Sequence, residues 1–496
     1  MNGKILVSVI MSTVLLLVPC VFAQGARQDR DALTAFQTRL NQKGFYVTSG
    51  AAEVWNPLEE WCRYERDDAK CVNSGPYLML MVPESATAEA QNLMNFKIRH
   101  DEAIVLIGRT PPPAKYFGFH TFIATRFYPD KEKDKERTDI MAQLGDAVNN
   151  ATIKTTGPTP FDSPVALIFT PGRGTDAAIR TALQDAGYPE AIINTNVLPS
   201  SMLNLGHGET ADEFQIVLRT AQFEDPHAGD RYAMDAPDNL HVLRVTPHTP
   251  AIANPFPMPR LRVRGTGESE MRLMNKLGEL RAGIIAANSG LYATDFLSSS
   301  DASSYEDYDF LQREIWAAGS SRDGFFLSAG WMMPLAYSND VITLGDDEFL
   351  MVYGVNHVAT LKANYMNVTV YATGREVNGN PDPDVKANAF LGGVFADTLS
   401  DTAKGYLSDG DPDAKLMYAY KVSRSCGKDK ARGKDEANCL QLSAPCERLT
   451  LDSSTILGLY FRVYLEPATK AGAAMSEILY DRVIKFSPRP PQPPQP

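Results

Sequence analysis

Basic charge is in short supply in this 496-residue chain: 48 Lys and Arg stand against 60 Asp and Glu, a formal net charge of −12. Phosphate backbones would be repelled over most of such a surface, which excludes nucleic acid as a partner. Long apolar runs are also lacking, with one exception, ILVSVIMSTVLLLV at residues 5–18. It follows Lys4 and precedes the small-residue stretch Val21-Phe22-Ala23. That order predicts a secretory signal over residues 1–23, too short in its apolar part for a comfortable membrane span. An uncleaved anchor is the bland alternative, and Pro19 argues against a lipoprotein reading through Cys20. Removal of the signal takes one lysine and moves the charge from −12 to −13. The expected mature protein is secreted or periplasmic, soluble, and free of a transmembrane span.

Cysteine is sparse, with six in the chain. No C-x-x-C pairs occur, so zinc ribbons are excluded. Cys20 leaves with the signal, and the rest read as disulfide staples of an oxidising compartment. Cys62 and Cys71 close the polar loop WCRYERDDAKC, while two of Cys426, Cys439 and Cys446 pair around SCGKDKARGKDEANC. The odd count leaves one thiol over.

Catalytic signatures are absent as well. The sequence has no H-E-x-x-H, no H-x-H, no G-x-S-x-G and no phosphate-binding lysine loop. The stretch PVALIFTPGRGTDAAIRTAL at residues 164–183 resembles a dinucleotide fingerprint only in its glycines. The strand that follows offers Asn194 and Asn196 where an acid should hold the ribose, and Asp176 puts negative charge at the phosphate position. No cofactor is expected. Gly172 and Gly174 then make a tight turn at the carboxyl end of a strand, where open α/β sheets place ligands. Arg173 there is a candidate for holding a substrate's anionic group.

With 44% hydrophobic residues the chain can bury real cores. The Pro cluster TPHTPAIANPFPMPR disfavours helix and central strand and marks a linker at residues 247–265. Before it, residues 24–246 read as an α/β domain with a partly parallel sheet. Its signature is a βαβ unit: the apolar run 165–169, a helix from Asp176 stopped by Gly187 and Pro189, and a strand at 191–197. After the linker, residues 266–486 read as a strand-rich α+β domain with two helices, at 270–290 and 308–318. Its strands are FLMVYGV, NVTVYAT, LMYAYKV and LGLYFRVYL. Residues 487–496 form a Pro-rich disordered tail. No internal repeat is visible.

Four of seven histidines fall between residues 207 and 248, in acidic company. His207 lies between two glycines beside Glu209, a pair suited to acid–base work, and His227 follows in FEDPHAGD. His120 alternates with Tyr116 and Phe122, so it could line an aromatic pocket for substrate. A divalent metal held by these histidines and acids is a lesser alternative. Asp409, Asp411 and Asp413 alternate as calcium ligands do, although Ala414 and Tyr420 rule out an EF-hand, leaving a weak structural Ca2+ site. Asn150-Ala-Thr152 and Asn367-Val-Thr369 would accept glycans in a eukaryote. The expectation is an exported hydrolase using His207, Glu209 and His227 on a small or extracellular substrate. The alternative is a non-catalytic extracellular or periplasmic binding protein.

Overall fold

The computed structural model describes residues 18–55, 77–87, 90–129, 136–300, 321–330, 340–378, 380–381, 389–429, 434–444 and 449–489. Residues 1–17, the Cys62–Cys71 loop, the expected helix at 308–318, Cys446 and the tail from 490 lie outside them.

The protein is mostly β, with four large sheets, two of them mixed, and few helices. Helix α1 (Val18–Gln42) ends where Gly44 takes a positive φ of 87°, a conformation that halts a helix at little cost for glycine. The first half then contributes β1 (Phe45–Ser49), β2 (Ala51–Trp55), β3 (Tyr77–Pro83), β4 (Ala103–Arg109) and β5 (Ala114–Phe127). It continues with β6 (Arg137–Gln143), β7 (Pro164–Thr170), helix α2 (Arg173–Asp185), β8 (Ile193–Val197), β9 (Glu213–Phe223), helix α3 (Pro226–Met234) and β10 (Leu240–Pro247). One sheet runs β1-β10-β4-β7-β8, and the other runs β2-β3-β9-β5-β6.

The expected βαβ unit is present, since β8 lies parallel to β7 with α2 between them. The surrounding class is different. β4, the apolar run AIVLI, is flanked by antiparallel partners on both sides. It is apolar throughout because both faces are covered. Val105 and Ile107 meet Phe36, Leu40, Ile179 and Leu183 of α1 and α2. Ile104 and Leu106 meet Leu78, Phe117, Phe119 and Ile216 of the second sheet. The half is thus three layers: helices, covered sheet, open sheet. A continuous apolar run reports two-sided burial, not parallel pairing.

After an extended linker, helix α4 (Met274–Ala287) precedes the strands of the second half. These are β11 (Leu291–Leu297), β12 (Ser299–Ser300), β13 (Gly324–Ala329), β14 (Phe349–Val355) and β15 (Tyr365–Val377). Then come β16 (Asn380–Pro381), β17 (Met417–Ser423), β18 (Cys439–Gln441), β19 (Thr455–Tyr464) and β20 (Arg482–Pro488). Their sheets run β11-β20-β14-β17-β18 and β12-β13-β19-β15-β16. Along these paths each second-half strand takes the place of the first-half strand numbered ten lower; strands off the paths, such as Ala389–Phe395 beside β15, are left unnumbered. The single parallel pair recurs as β17–β18, and the helix-bearing face recurs with Leu277, Leu280 and Ile284 of α4 on Met351, Tyr353 and Ile484.

The chain is two copies of one topology, which corrects the expectation that it holds no repeat. One substitution of parts lies in the parallel crossover. The first half spans it with α2; the second spans it with a loop closed by the Cys426–Cys439 disulfide. The two open sheets face one another, so Tyr116 and Ala221 of the first half pack with Phe326, Tyr365 and Tyr464 of the second. No described helix is long and apolar enough to cross a membrane.

Candidate functional site

Glu102 sits just ahead of β4 and is 1% exposed. Its Oε2 accepts from the Arg99 amide at 2.9 Å and from Arg244 Nη1 at 3.1 Å, and its Oε1 accepts from the Thr246 hydroxyl at 2.8 Å. Arg244 is itself fully buried, and its other nitrogens reach the carbonyls of Pro83 and Lys97. Burial alone would raise the carboxyl, but the His207 hydrogen bond, the Arg244 charge and the Arg99 amide pull it down to about 2. The second half repeats this device atom for atom. Glu348 Oε2 accepts from the Gly345 amide at 2.7 Å and from Lys485 Nζ at 2.7 Å, and its Oε1 accepts from the Ser487 hydroxyl at 2.6 Å. Arg244 stands opposite Ile104 as Lys485 stands opposite Leu350, so the register agrees too.

Among the described residues His207 is an addition that the first copy makes to the device. Gly206, at φ 140°, donates its amide to the Ile98 carbonyl and carries the loop back over the turn at 98–102. His207 Nε2 then lies 2.9 Å from Glu102 Oε2 with 38% of its side chain exposed. Its partner is thus Glu102 and not Glu209, whose backbone carbonyl accepts from Arg137. His227 is exposed in the first turn of α3, where its amide caps on Asp225. These contacts do not bring the three expected acid–base residues together.

The glycine turn borders the same segment. A Cβ on Gly172 would come within 2.7 Å of the His100 carbonyl, which explains glycine there. The linker lies across the turn: the Arg173 amide donates to the Asn254 carbonyl, Arg173 Nη2 lies 3.2 Å from Asn254 Oδ1, and Gly172 bridges Pro255. Gly174 also faces Asn254. Arg173 and His207 therefore both flank residues 98–102, with the linker covering the Arg173 side.

His120 belongs elsewhere, in the layer between the open sheets, and is fully buried. Its Nε2 is 2.8 Å from the Tyr116 hydroxyl, which donates at 3.0 Å to Asp323 Oδ2 of the second half. Gly118 makes this possible, since a Cβ there would meet that hydroxyl at 2.4 Å. Asn149 Nδ2 also donates to Asp323 Oδ2, at 2.8 Å, and Arg262 of the linker lies 3.5 Å from Oδ1. Burial pushes the Asp323 carboxyl up to about 6 against the pull of Arg262, and burial together with Arg219 holds His120 well below its ordinary range. Farther along the layer, Arg219 lies over the Phe122 ring at 5.0 Å, and Arg462 lies over the Tyr371 ring at 5.5 Å. These are matching places in the two copies, for Arg219 pairs with Gly118 on β5 and Arg462 with Asn367 on β15.

His357 is fully buried between Glu270, 2.9 Å from Nδ1, and Asp481, 3.5 Å from Nε2. Burial alone would lower its pKa, but those two carboxylates raise it to about 10 and keep the ring charged. Asp411, the central calcium candidate, instead accepts from Lys276 Nζ at 2.6 Å, and Asp413 donates its amide to Asp411. Among the described residues no three His, Cys, Asp or Glu side chains assemble as metal ligands. Asn367 is fully buried in β15, out of reach of glycan transfer in the folded chain. A cavity of about 330 Å³ opens beside Asp146, Lys154, Asn196 and Arg262, where the linker leaves the first half.

No family model and no curated protein matches the chain. Among solved structures it is similar to the VPA0106 protein from Vibrio parahaemolyticus at 11% identity, covering 93% of this chain and 99% of that one, with a TM-score of 0.37. A partial N-terminal region of an enterococcal surface protein gives 9% identity over 88% and 92% of the two chains, with a TM-score of 0.15. The tandem CBM22-1–CBM22-2 domain of Paenibacillus barcinonensis Xyn10C gives 9% over 90% and 94%, with a TM-score of 0.13. At these scores none of the three carries an argument about fold or function.

Sequence reasoning missed Glu102, Asp323, Arg219 and Arg462. Each is a charged residue inside or beside a strand, and such positions contradict the apolar alternation around them. That contradiction was the available signal.

Proposed function

We propose that this is an exported, soluble binding protein whose ligand site lies between its two halves. The observation that carries the reading is the double use of the Glu102 device. Its counterpart, Glu348 with Lys485 and Ser487, has no histidine among its contacts with the described residues, which supports a role for the carboxylate in the fold of both copies. Glu102 is held by Arg244, Thr246 and a backbone amide, the same three kinds of donor that hold Glu348, so its contacts are accounted for without a catalytic role. Charged and polar side chains are instead concentrated between the open sheets, where ligand recognition gains most from exclusion of water. The Cys426–Cys439 bridge and the signal-like first 23 residues support export.

The test is a ligand screen by thermal shift on the full chain, alongside H207A. The reading expects a stabilising ligand whose effect H207A leaves unchanged. A second reading, the hydrolase, is favoured by one observation: His207 is accessible at 2.9 Å from Glu102, on the turn that the Arg173 loop also borders. In that case His207 moves the proton and Arg173 holds an anionic or carbonyl-containing substrate. Turnover in a hydrolase screen that H207A abolishes, at unchanged melting temperature, would replace the first reading with the second.

A further inference from the structure

We propose that the layer between the halves binds a small protonated oxyanion of the hydrogenphosphate class, held by Arg462 and Asn367. This deepens the binding reading above and rests on it. Arg462 is 9% exposed, and its guanidinium stays charged at any accessible pH. Its partners are neutral: the Thr369 hydroxyl at 2.5 Å, the Tyr371 hydroxyl at 3.4 Å, and the faces of Tyr371 and Tyr460. Burial pushes the Tyr371 hydroxyl up, so that ring supplies no negative charge. Among the described residues Arg462 makes no ion pair, and the groups that act on its charge are the tyrosines Tyr371, Tyr77, Tyr460 and Tyr464 rather than a carboxylate.

The second observation is independent. Asn367, directly across the β15–β19 ladder from Arg462, is fully buried, yet among the described residues neither its Nδ2 nor its Oδ1 has a hydrogen-bond partner. Buried amides are almost always satisfied, so a donor and an acceptor left open together mark a place for something else. A buried cation asks for negative charge, Nδ2 asks for an acceptor, and Oδ1 asks for a donor. A carboxylate or sulfate meets the first two demands only. A phosphate that keeps one proton meets all three. Arg219 of the other half adds positive charge from the facing sheet, since Tyr77 lies beneath its guanidinium at 5.5 Å and within electrostatic reach of Arg462.

The experiment titrates the full chain with inorganic phosphate, sulfate and chloride at matched ionic strength, followed by calorimetry and thermal shift. Phosphate should saturate and raise the melting temperature, sulfate should bind at least 10-fold more weakly, and chloride should do nothing. R462Q should weaken phosphate at least 10-fold. Because that variant can fail to fold, N367D provides a second arm: it places a fixed carboxylate beside Arg462. N367D should melt higher than the wild type without phosphate and should lose the phosphate response. Equal responses to phosphate and chloride, or phosphate binding unchanged in N367D, would overturn the proposal. A neutral ligand that stabilises wild type and N367D alike would keep the binding reading and remove the anion. Failure of every ligand class would remove both.

Discussion

Replacing Asp323 by Asn should change how stability depends on pH, and the size follows from its burial. The carboxyl is fully buried, and its pKa is raised from 3.8 to about 6 because burial outweighs the pull of Arg262, Asn149 and Tyr116. The native state therefore holds this proton more tightly than the unfolded chain does. Below pH 3.8 both states are protonated and the group contributes nothing. Between 3.8 and about 6 the unfolded chain ionises first, so stability falls as pH rises. Above that window the full penalty stands, about 2.2 units at 1.36 kcal/mol each, or about 3 kcal/mol. Asn cannot ionise, and with its oxygen in the Oδ2 position it keeps the bonds from Tyr116 and Asn149. The gap between D323N and wild type should grow by about 3 kcal/mol in favour of the variant from pH 3.5 to 6.5. At roughly 2–4 °C per kcal/mol for a unit of this size, that is about 6–12 °C in melting temperature. Urea titrations across that range read the slope directly, free of any constant offset from the lost Arg262 attraction. Parallel curves for the two proteins would refute the reasoning.

The two carboxylate devices should respond unequally. R244M strands Glu102, which is 1% exposed, and should cost about 3–5 kcal/mol, whereas K485M should cost about 1 kcal/mol because water reaches both Lys485 and Glu348; chemical denaturation of each variant compares them. His357, held at about 10 against 6.5, gives stability that is complete below pH 6.5 and lost as pH rises toward 10. H357Q should remove that alkaline loss and cost about 3–5 kcal/mol at pH 6, since Glu270 and Asp481 then face burial without a cation; denaturation curves at pH 6 and 9 read both effects. Replacing Cys426 and Cys439 with serine should destabilise the second half by about 3 kcal/mol, given their separation of 13 residues, and leave the first half's transition in place when scanned by calorimetry.

Much of the strand content was visible in the sequence because β-branched and aromatic residues mark it, as in LMYAYKV and LGLYFRVYL. The βαβ unit was visible for the same local reasons: an apolar run, a glycine turn, and Gly187 at φ 95° after the helix. The repeat was not visible, because what the two copies share is spread too widely. Glu102 and Arg244 are 142 residues apart, and their counterparts differ in type, Lys for Arg and Ser for Thr. A window that sees one anchor never sees its mate. The same distance hid the partner of His207. Glu209 is the nearest acid in the chain, while Glu102 arrives from 105 residues away. The His120 ring lies beside Tyr116 and Phe122, as the alternation implies, but the Tyr116–Asp323 connection needs the second copy, which no local pattern announces.

One crossover in each copy joins the parallel strands, and the two are fastened by unlike means: a packed helix in one, a sulfur–sulfur bond in the other. Glutathione or thioredoxin can undo only the second fastening. Folded in a reducing cell, the chain would keep its first clasp and lose its second, and the edge strand at 439–441 would hang by a handful of hydrogen bonds. The two copies would thus part company under reduction, one keeping its crossover packed and the other losing its covalent closure.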